Sequence, residues 1–173
     1  LLSSRERQAE LRVELPVTIE PRRVAIIGGK GGMGQFFARM FESFGHSIEI
    51  VDRDVGDASS IVPRADVVVI SVPIDVTEAV IRRVAPLVRE DALIFDVTSL
   101  KGAPMKAMPA ATEASVVGTH PMFGPSLGTL QGQRVVVCPG RGEAWLAWLE
   151  NSLRARGLVV TRSTPDAHDR EMG

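Results

Sequence analysis

Short apolar runs alternate with amphipathic segments along most of this chain of 173 residues. The runs are rich in β-branched residues, as in buried strands, whereas apolar positions in the intervening segments recur at helical spacing. The pattern predicts strands at 22–27, 47–51, 66–72, 92–97, 115–119, 133–138 and 158–162, and helices at 33–44, 75–88, 103–110 and 142–156. Strands that alternate with helices indicate an α/β fold with a doubly wound, Rossmann-type and mostly parallel sheet.

Local signals refine the ends of these elements. Asp75, followed three residues later by Glu78, predicts a capping box at the start of the second helix. Gly45 and Gly157 are placed to end the first and the last of the four helices. The segment 54–64 is short and contains proline, so we expect only a stunted crossover helix between the second and third strands.

A glycine-rich turn follows the first apolar strand. Gly29, Gly31 and Gly34 have the G-x-G-x-x-G spacing of dinucleotide-binding loops. In such loops the first glycine permits a tight turn, the second lets a pyrophosphate approach the backbone, and the third lets helix and strand pack closely. The amides at the start of the next helix then attract the phosphate. The predicted cofactor-binding residues of this loop are Gly29, Lys30, Gly31, Gly32, Met33 and Gly34, with the Lys30 side chain expected to point into solvent.

Asp52 strengthens the prediction of a dinucleotide site. It follows the second strand, 18 residues beyond Gly34, near the distance at which a carboxylate binds the ribose hydroxyls of NAD. A structural glycine turn beside a surface aspartate is the alternative. Arg53 is placed to receive the 2′-phosphate of NADP, but Asp52 would repel that phosphate, so we predict NAD as the cofactor.

Three further strand ends carry candidate site residues, because ligands of such sheets bind beyond the carboxyl ends of the strands. The third strand is followed by the cofactor-site candidates Ser71, Val72 and Pro73, although the proline is also an ordinary strand terminator. The segment 96–102 groups a carboxylate, two hydroxyls and an ammonium where substrate or nicotinamide should lie. His120 is predicted in the loop after the fifth strand, suited to accept a proton near neutral pH.

Composition excludes several function classes. The 20 basic and 21 acidic residues are interspersed and no apolar run has the length of a membrane span, so neither nucleic acid nor a membrane is expected as a partner. Cys138 is the single cysteine, which excludes a disulfide framework and indicates a buried, inert thiol in a reduced cytoplasmic setting. His46 and His168 are predicted to be solvated surface residues, and we assign no metal site.

Three segments are expected along the chain. Residues 1–21 are polar and weakly periodic, and they predict a linker or the tail of a preceding segment. Residues 22–163 form the predicted dinucleotide-binding domain. Thr164 and Pro165 begin a helix that has only a few residues before Gly173, so 164–173 is expected to be the start of a truncated further domain.

Four motifs together resemble prephenate dehydrogenase, of the type fused behind chorismate mutase in some bacteria. They are G-G-K-G-G-M-G, S-V-P, D-V-T-S-L-K and, most specifically, G-T-H-P-M-F-G-P, and the resemblance runs from about Arg22 to Met172. It implies that His120 accepts a hydrogen bond from the ring hydroxyl of the substrate. It also implies that Ser99 supports the same hydroxyl and the histidine, whereas Lys101 matches the motif without an assigned role.

The resemblance implies NAD-dependent oxidative decarboxylation of prephenate to 4-hydroxyphenylpyruvate in tyrosine biosynthesis. The family's substrate-binding arginine lies in a helical, dimer-forming C-terminal domain that this chain lacks. We therefore expect the isolated chain to be inactive and a homodimer to form only with that domain. Arogenate dehydrogenase, another small-acid oxidoreductase, or a nonenzymatic NAD-binding regulatory module are the alternatives.

Overall fold

A computed structural model describes residues 20–124 and 130–173, so most of the predicted N-terminal linker lies outside the described residues. Seven strands form one sheet in the order β2-β1-β3-β4-β5-β6-β7. The strands are β1 (Arg23–Ile27), β2 (Ser47–Val51), β3 (Val67–Ile70), β4 (Leu93–Asp96), β5 (Ser115–Pro121), β6 (Arg134–Arg141) and β7 (Val159–Arg162). The helices are α1 (Gly32–Ser43), α2 (Ala58–Ile61), α3 (Ile74–Val84), α4 (Gly102–Ala111), α5 (Glu143–Ala155) and α6 (Pro165–Met172).

The sheet is mostly parallel, which confirms the predicted fold class. Strands β1 to β5 all run in one direction. Strand β6 then pairs antiparallel with β5, and β7 pairs parallel with β6. The carboxyl ends of β1 to β5 therefore lie at one edge of the sheet, where a doubly wound fold binds its ligands.

Helices cover both faces of the sheet, so the central strands are apolar on both sides. Along β1, Ala25 and Ile27 belong to one core layer, whereas Val24 and Ile26 belong to the other. Helices α3 and α4 supply side chains to the first layer, and α1 and α5 supply side chains to the second. Within the described ranges, no helix combines the length and the apolarity needed to cross a membrane.

His46 is buried, so the prediction that it is a solvated residue is wrong. It is 4% exposed and its ring lies within 6 Å of the ring centroids of Phe41 and Trp148. Its Nδ1 accepts a hydrogen bond of 2.9 Å from the backbone N–H of Arg22. Burial lowers the pKa of His46, which therefore stays neutral at physiological pH. The tryptophan that covers it lies about a hundred residues away in sequence, beyond the reach of local pattern analysis.

The helix ends follow the predictions with one exception. Gly45 and Gly157 have positive φ values of 90° and 94° just after α1 and α5, as predicted. The segment 54–64 forms only the four-residue α2 and a 3-10 turn, also as predicted. The capping box at Asp75 is wrong: α3 begins at Ile74 after Pro73, and no side chain caps its first amides. Pro73, two residues before the predicted cap, has the extended backbone of the N-cap position itself.

Helix α6 begins at Thr164 and Pro165 as predicted, and it is hydrogen-bonded to the start of α4. The Thr164 hydroxyl accepts a hydrogen bond of 3.2 Å from the amide of Ala167 and so caps α6. One carboxylate oxygen of Asp169 accepts from the Lys101 amide at 2.7 Å, and the other accepts from the Gly102 amide at 2.9 Å. An aspartate from a distant helix thus takes the place of a side-chain cap on α4.

Replacing Asp169 by alanine should lower the free energy of unfolding by about 1–2 kcal/mol, because two amides at the start of α4 lose a charged acceptor. The measurement is the midpoint of urea unfolding. Asp166→Ala, in the exposed first turn of the same helix, is the matched control and should change stability by only a few tenths of a kcal/mol. Equal midpoints for the two variants would show that the Asp169 contacts do not hold α6 in place.

Candidate functional site at the carboxyl edge of the sheet

The glycine loop between β1 and α1 is packed so tightly that three of its glycines have no space for a side chain. Gly28 carries the positive φ, 85°, and a Cβ on it would lie 2.0 Å from the Ser71 carbonyl oxygen. A Cβ on Gly29 would lie 2.5 Å from the Ile50 side chain. A Cβ on Gly34 would lie 2.6 Å from the Gly28 carbonyl oxygen, as the predicted close packing of helix and strand requires. The positive φ lies at Gly28, and the Gly31 amide closes the turn by donating to the Gly28 carbonyl at 3.1 Å, so Gly29 lies within the turn.

Gly31 differs from its neighbours because the fold itself leaves room there. A Cβ on Gly31 would meet only the Gly28 carbonyl oxygen, at an ordinary contact distance of 3.5 Å. Gly31 is the N-cap of α1, with φ of −72°, and no side chain caps the helix. The first amides of α1 are therefore not satisfied by a capping side chain, which is the arrangement that binds phosphate in dinucleotide folds.

Asp52 is joined to the glycine loop, as its spacing predicts. One carboxylate oxygen accepts a hydrogen bond of 3.0 Å from the Lys30 amide, and the other accepts from the Arg53 amide at 2.9 Å. The Lys30 side chain is 55% exposed and pairs with Asp54 at 2.7 Å, in agreement with the expectation that it points into solvent. The Asp52 carboxylate thus stands at the end of β2, beside the turn that would hold a pyrophosphate.

The segment Ser71–Pro73 contacts the glycine loop from the other side. The Ser71 amide donates to the Ile27 carbonyl at 2.8 Å, and the Ser71 carbonyl lies against Gly28. Val72 is half-buried, and Pro73 both follows the strand and precedes α3. The structure therefore brings the predicted residues of the first and third strand ends together.

Most of the polar groups of 96–102 face inward, contrary to the expectation that they face substrate. Asp96, Thr98 and Lys101 are 0%, 6% and 0% exposed. The Asp96 carboxylate accepts hydrogen bonds from the Thr98 hydroxyl and from the Lys101 ammonium. The ammonium also donates to the Thr119 carbonyl at 2.7 Å, directly before His120. Burial lowers the pKa of Lys101, whereas the neighbouring carboxylate opposes that change. These buried side chains therefore bind one another and the backbone before His120, and they do not face a ligand.

His120 lies in β5 itself rather than in the loop after it, because the antiparallel partner β6 extends the ladder through Pro121. The His120 ring is half-buried, and its Nδ1 is 2.9 Å from Nε2 of His168. Burial, then His168, then the Lys101 ammonium lower the pKa of His120 to about 4. The imidazole is therefore neutral at physiological pH and free of the proton that would prevent it from acting as an acceptor.

His168 is 1% exposed, so the prediction that it is a surface residue is wrong. Its Nε2 contacts His120 and also lies 3.0 Å from the backbone oxygen of Ser99. Ser99 is exposed, and its hydroxyl makes no hydrogen bond to any other described residue. The structure thus connects Ser99 with His120 through the ring of His168.

Three participants in this arrangement were missed at the sequence level or left without a role. Gly28 is signalled by the pair of adjacent glycines after β1. Lys101 is signalled by an acidic and a basic residue five positions apart at the end of an apolar strand. His168 has no local signal, since its partners lie 48 and 69 positions away.

Two other predictions concern reactive side chains. Cys138 is fully buried, as predicted, and burial raises the pKa of its thiol to about 11, so it is not a nucleophile at neutral pH. In residues 20–124 and 130–173, no three His, Cys, Asp or Glu side chains are grouped to hold a metal ion.

Comparisons with known proteins agree with this geometry. The family model described as prephenate dehydrogenase, nucleotide-binding domain, matches residues 41–162. A protein named T-protein from Enterobacter agglomerans is 40% identical over 154 residues, covering 88% of this chain and 41% of that protein. A probable arogenate/prephenate dehydrogenase from Methanocaldococcus jannaschii is 36% identical over 170 residues, covering 87% of this chain and 38% of that protein. The chain thus spans about two-fifths of the length of these relatives.

A solved structure shares the fold. Prephenate dehydrogenase from Aquifex aeolicus, in complex with hydroxyphenyl propionate and NAD+, superposes with a TM-score of 0.74 at 20% identity. The similarity covers 90% of this chain and 64% of that one. At this level of identity the comparison establishes the fold, and the chemistry has to be argued from the residues.

Two glycine substitutions should distinguish a glycine that the packing of the loop requires from one at which the fold leaves space for a ligand. Gly34→Ala should lower the free energy of unfolding by about 1–3 kcal/mol, because its Cβ would collide with backbone atoms that cannot move aside. Gly31→Ala is the matched control, expected within about 0.5 kcal/mol of the parent, since its Cβ makes an ordinary contact. Chemical denaturation followed by tryptophan fluorescence measures both values. A stable Gly34→Ala variant would contradict the packing seen in the loop.

Proposed function

The chain belongs to the prephenate dehydrogenase family by its nucleotide-binding domain, and from this premise we propose that it is the NAD-binding part of an enzyme that oxidatively decarboxylates prephenate to 4-hydroxyphenylpyruvate. One observation carries the proposal: the glycine loop, the Asp52 carboxylate and the neutral His120 all lie at one edge of the sheet. The strands β1 and β5 are three strand spacings apart, about 14 Å, a separation that an extended dinucleotide can bridge.

Cofactor binding would use the loop residues 29–34 for the pyrophosphate and Asp52 for the adenosine ribose. The uncapped amides of α1 support the first assignment, and the attachment of the Asp52 carboxylate to the loop backbone supports the second. The same carboxylate would repel the 2′-phosphate of NADP, which supports NAD. Ser71, Val72 and Pro73 would border the cofactor where they contact Gly28.

The chemistry would take place beside His120. NAD supplies an acceptor for the hydride that leaves the ring carbon bearing the hydroxyl. His120 would draw off the hydroxyl proton, and loss of carbon dioxide would make the ring aromatic. Its low pKa keeps the imidazole unprotonated, and the carboxylates of a bound dicarboxylic substrate would raise that pKa towards the range of an effective base. Ser99, exposed beside the histidine pair, would orient the same hydroxyl.

Arogenate is the second candidate substrate. The curated relative from Methanocaldococcus jannaschii carries both substrates in its name, which favours keeping arogenate beside prephenate. The two acids differ at the side chain attached to the ring carboxylate carbon, away from the hydroxyl that His120 would bind. Product analysis with both substrates on the full-length protein distinguishes them. A nonenzymatic NAD-binding module would bind the cofactor and have no need of His120 and Ser99 together.

The working enzyme would be a cytoplasmic homodimer that joins this domain to a helical C-terminal domain. The relatives' greater length supports the additional domain, and the buried Cys138 thiol supports a reducing compartment. An arginine of that further domain would bind the substrate carboxylate, as the family resemblance implies. Residues 164–173 would then be the first helix that leads to it.

Isothermal titration should show that the chain binds NAD more tightly than NADP. Asp52→Ala should reduce that preference, because it removes both the ribose ligand and the charge that repels the 2′-phosphate. Gly31→Ala should weaken binding of both nucleotides while leaving the fold intact, since the added methyl group occupies the phosphate approach. A preference of the parent chain for NADP would overturn the role given to Asp52.

In the full-length protein, His120→Asn should lower turnover by about 100- to 10,000-fold, because asparagine keeps a hydrogen-bonding shape without the basicity. NAD affinity should hardly change. The parent enzyme should lose activity as the pH falls towards the pKa of His120, since the imidazolium cannot accept a proton, and the variant should lack this acid limb. Ser99→Ala should cost less, about tenfold, as expected for one neutral hydrogen bond. Unchanged turnover and pH dependence in His120→Asn would show that the base lies elsewhere.

A further inference from the structure

We propose that His168 is a positioning residue for His120: it holds the His120 ring at Nδ1 and determines which nitrogen of that ring carries the hydrogen. The functional part of this proposal rests on the proposed role of His120 as the proton acceptor. The structural part rests only on contacts within the described residues. Neither the glycine loop nor the Asp52 site is involved.

The hydrogen between the two rings can be assigned from the neighbouring carbonyl. His168 Nε2 lies 3.0 Å from the Ser99 backbone oxygen, and a carbonyl oxygen only accepts hydrogen bonds. His168 Nε2 must therefore carry a hydrogen. The same N–H faces Nδ1 of His120 at 2.9 Å, so that nitrogen has to be bare and accept. Neutral His120 then carries its own hydrogen on Nε2.

The opposite side of the His168 ring supports this assignment. His168 Nδ1 is buried, and no described residue donates to it or accepts from it. A hydrogen on that nitrogen would be a buried donor without an acceptor, which is costly. Protonating His120 is also unfavourable, since a second hydrogen on its Nδ1 would face the N–H of His168. The His120 ring therefore resists taking up a second hydrogen.

The surrounding charges act in the same direction. The Lys101 ammonium lies under this part of β5, bound to Asp96 and to the Thr119 carbonyl, and it disfavours a second positive charge on His120. Asp169, beside His168 in sequence, has both carboxylate oxygens engaged by backbone amides. The Cys138 thiol nearby is uncharged at neutral pH. Within the described residues, neither histidine ring makes a hydrogen bond to a carboxylate of these groups.

The consequence for the reaction is specific. With its hydrogen on Nε2, His120 offers a donor at that nitrogen and cannot accept the hydroxyl proton there. It becomes an acceptor at Nε2 when the hydrogen between the rings belongs to His120 and His168 carries its own hydrogen on Nδ1. Both neutral arrangements contain two ring hydrogens, and only the first keeps the bond from His168 to Ser99. The Ser99 carbonyl therefore holds the unliganded pair in the arrangement that does not accept a proton at Nε2. The proposed role of His120 requires the pair to change to the second arrangement when substrate is bound, with His168 Nε2 accepting the Nδ1–H of His120.

The test is nuclear magnetic resonance of the nitrogen-15-labelled chain, whose three histidines are easily assigned. Long-range proton–nitrogen correlation distinguishes a bare ring nitrogen from one that carries hydrogen. We expect hydrogen on Nε2 of both His120 and His168, with His120 titrating near 4. In His168→Phe, which keeps a ring but removes both nitrogens, the His120 midpoint should rise and its tautomers should become mixed.

Two further variants control the experiment. His168→Gln retains an amide donor for the Ser99 carbonyl and should restore part of the parent behaviour. His46→Phe alters another buried histidine and should leave the His120 signals unchanged. An unchanged His120 midpoint and tautomer in folded His168→Phe overturns the proposal. Should that variant not fold, the parent chain decides: hydrogen on Nδ1 of His120 contradicts the assignment, and a bare Nδ1 supports it.

Kinetics of the full-length protein separate this proposal from the proposed function. His168→Phe should lower kcat by at least tenfold and move the acid limb, because it removes the nitrogen that accepts the Nδ1–H of His120 in the arrangement whose Nε2 takes the hydroxyl proton. The KM for NAD should be unchanged. If His120→Asn retains turnover while the resonance results hold, the catalytic role of His120 fails and the tautomer assignment stands. If His120→Asn loses turnover while His168→Phe changes neither the pH profile nor kcat, only the positioning role fails.

Discussion

The buried ammonium of Lys101 joins the ends of β4 and β5, where the proposed reaction would take place. A charge in that position is stable only with good partners, and here it has the Asp96 carboxylate and the Thr119 carbonyl. These partners belong to the ends of two neighbouring strands, so one side chain links the loop after β4 to the residue before His120. The Thr119 hydroxyl returns a hydrogen bond of 2.6 Å to the Asp96 carbonyl, which closes the link from the other side.

A second set of constraints is steric and acts where the cofactor would bind, at the carboxyl ends of β1, β2 and β3. The loops after β1 and β3 are in contact at Gly28 and Ser71, and the strand ends after β1 and β2 are in contact at Gly29 and Ile50. These contacts leave little freedom to the turn that precedes α1. The Phe36 ring of α1 also packs edge-on against Phe123, with 5.3 Å between ring centroids, and so joins this half to the segment after His120. The two halves of the site are therefore in direct contact.

The sequence predicted the strand and helix order, the stunted crossover and the parallel majority of the sheet, because these follow from local periodicity and from proline and glycine positions. It also predicted which strand ends carry candidate site residues. It could not predict the environment of His46 and His168, since both are covered by residues from distant elements. The inward direction of Asp96 and Lys101 was missed for a related reason: a charged pair at a strand end has the same spacing whether it faces ligand or core. The capping box failed because Pro73 already fixes the start of α3.

The contact between His168 and His120 also makes the docking of α6 depend on pH. A proton binds His120 more weakly while α6 is docked than after the helix has detached, to the extent that His168 lowers the pKa of His120. By linkage, the detached form takes up the proton first. Above the ordinary histidine pKa of about 6.5 neither form is protonated and docking is unaffected by pH. As the pH falls from there towards 4, protons accumulate on the detached form, and the free energy that holds the helix in place decreases. Acid would thus weaken the attachment of α6 to the edge of the sheet.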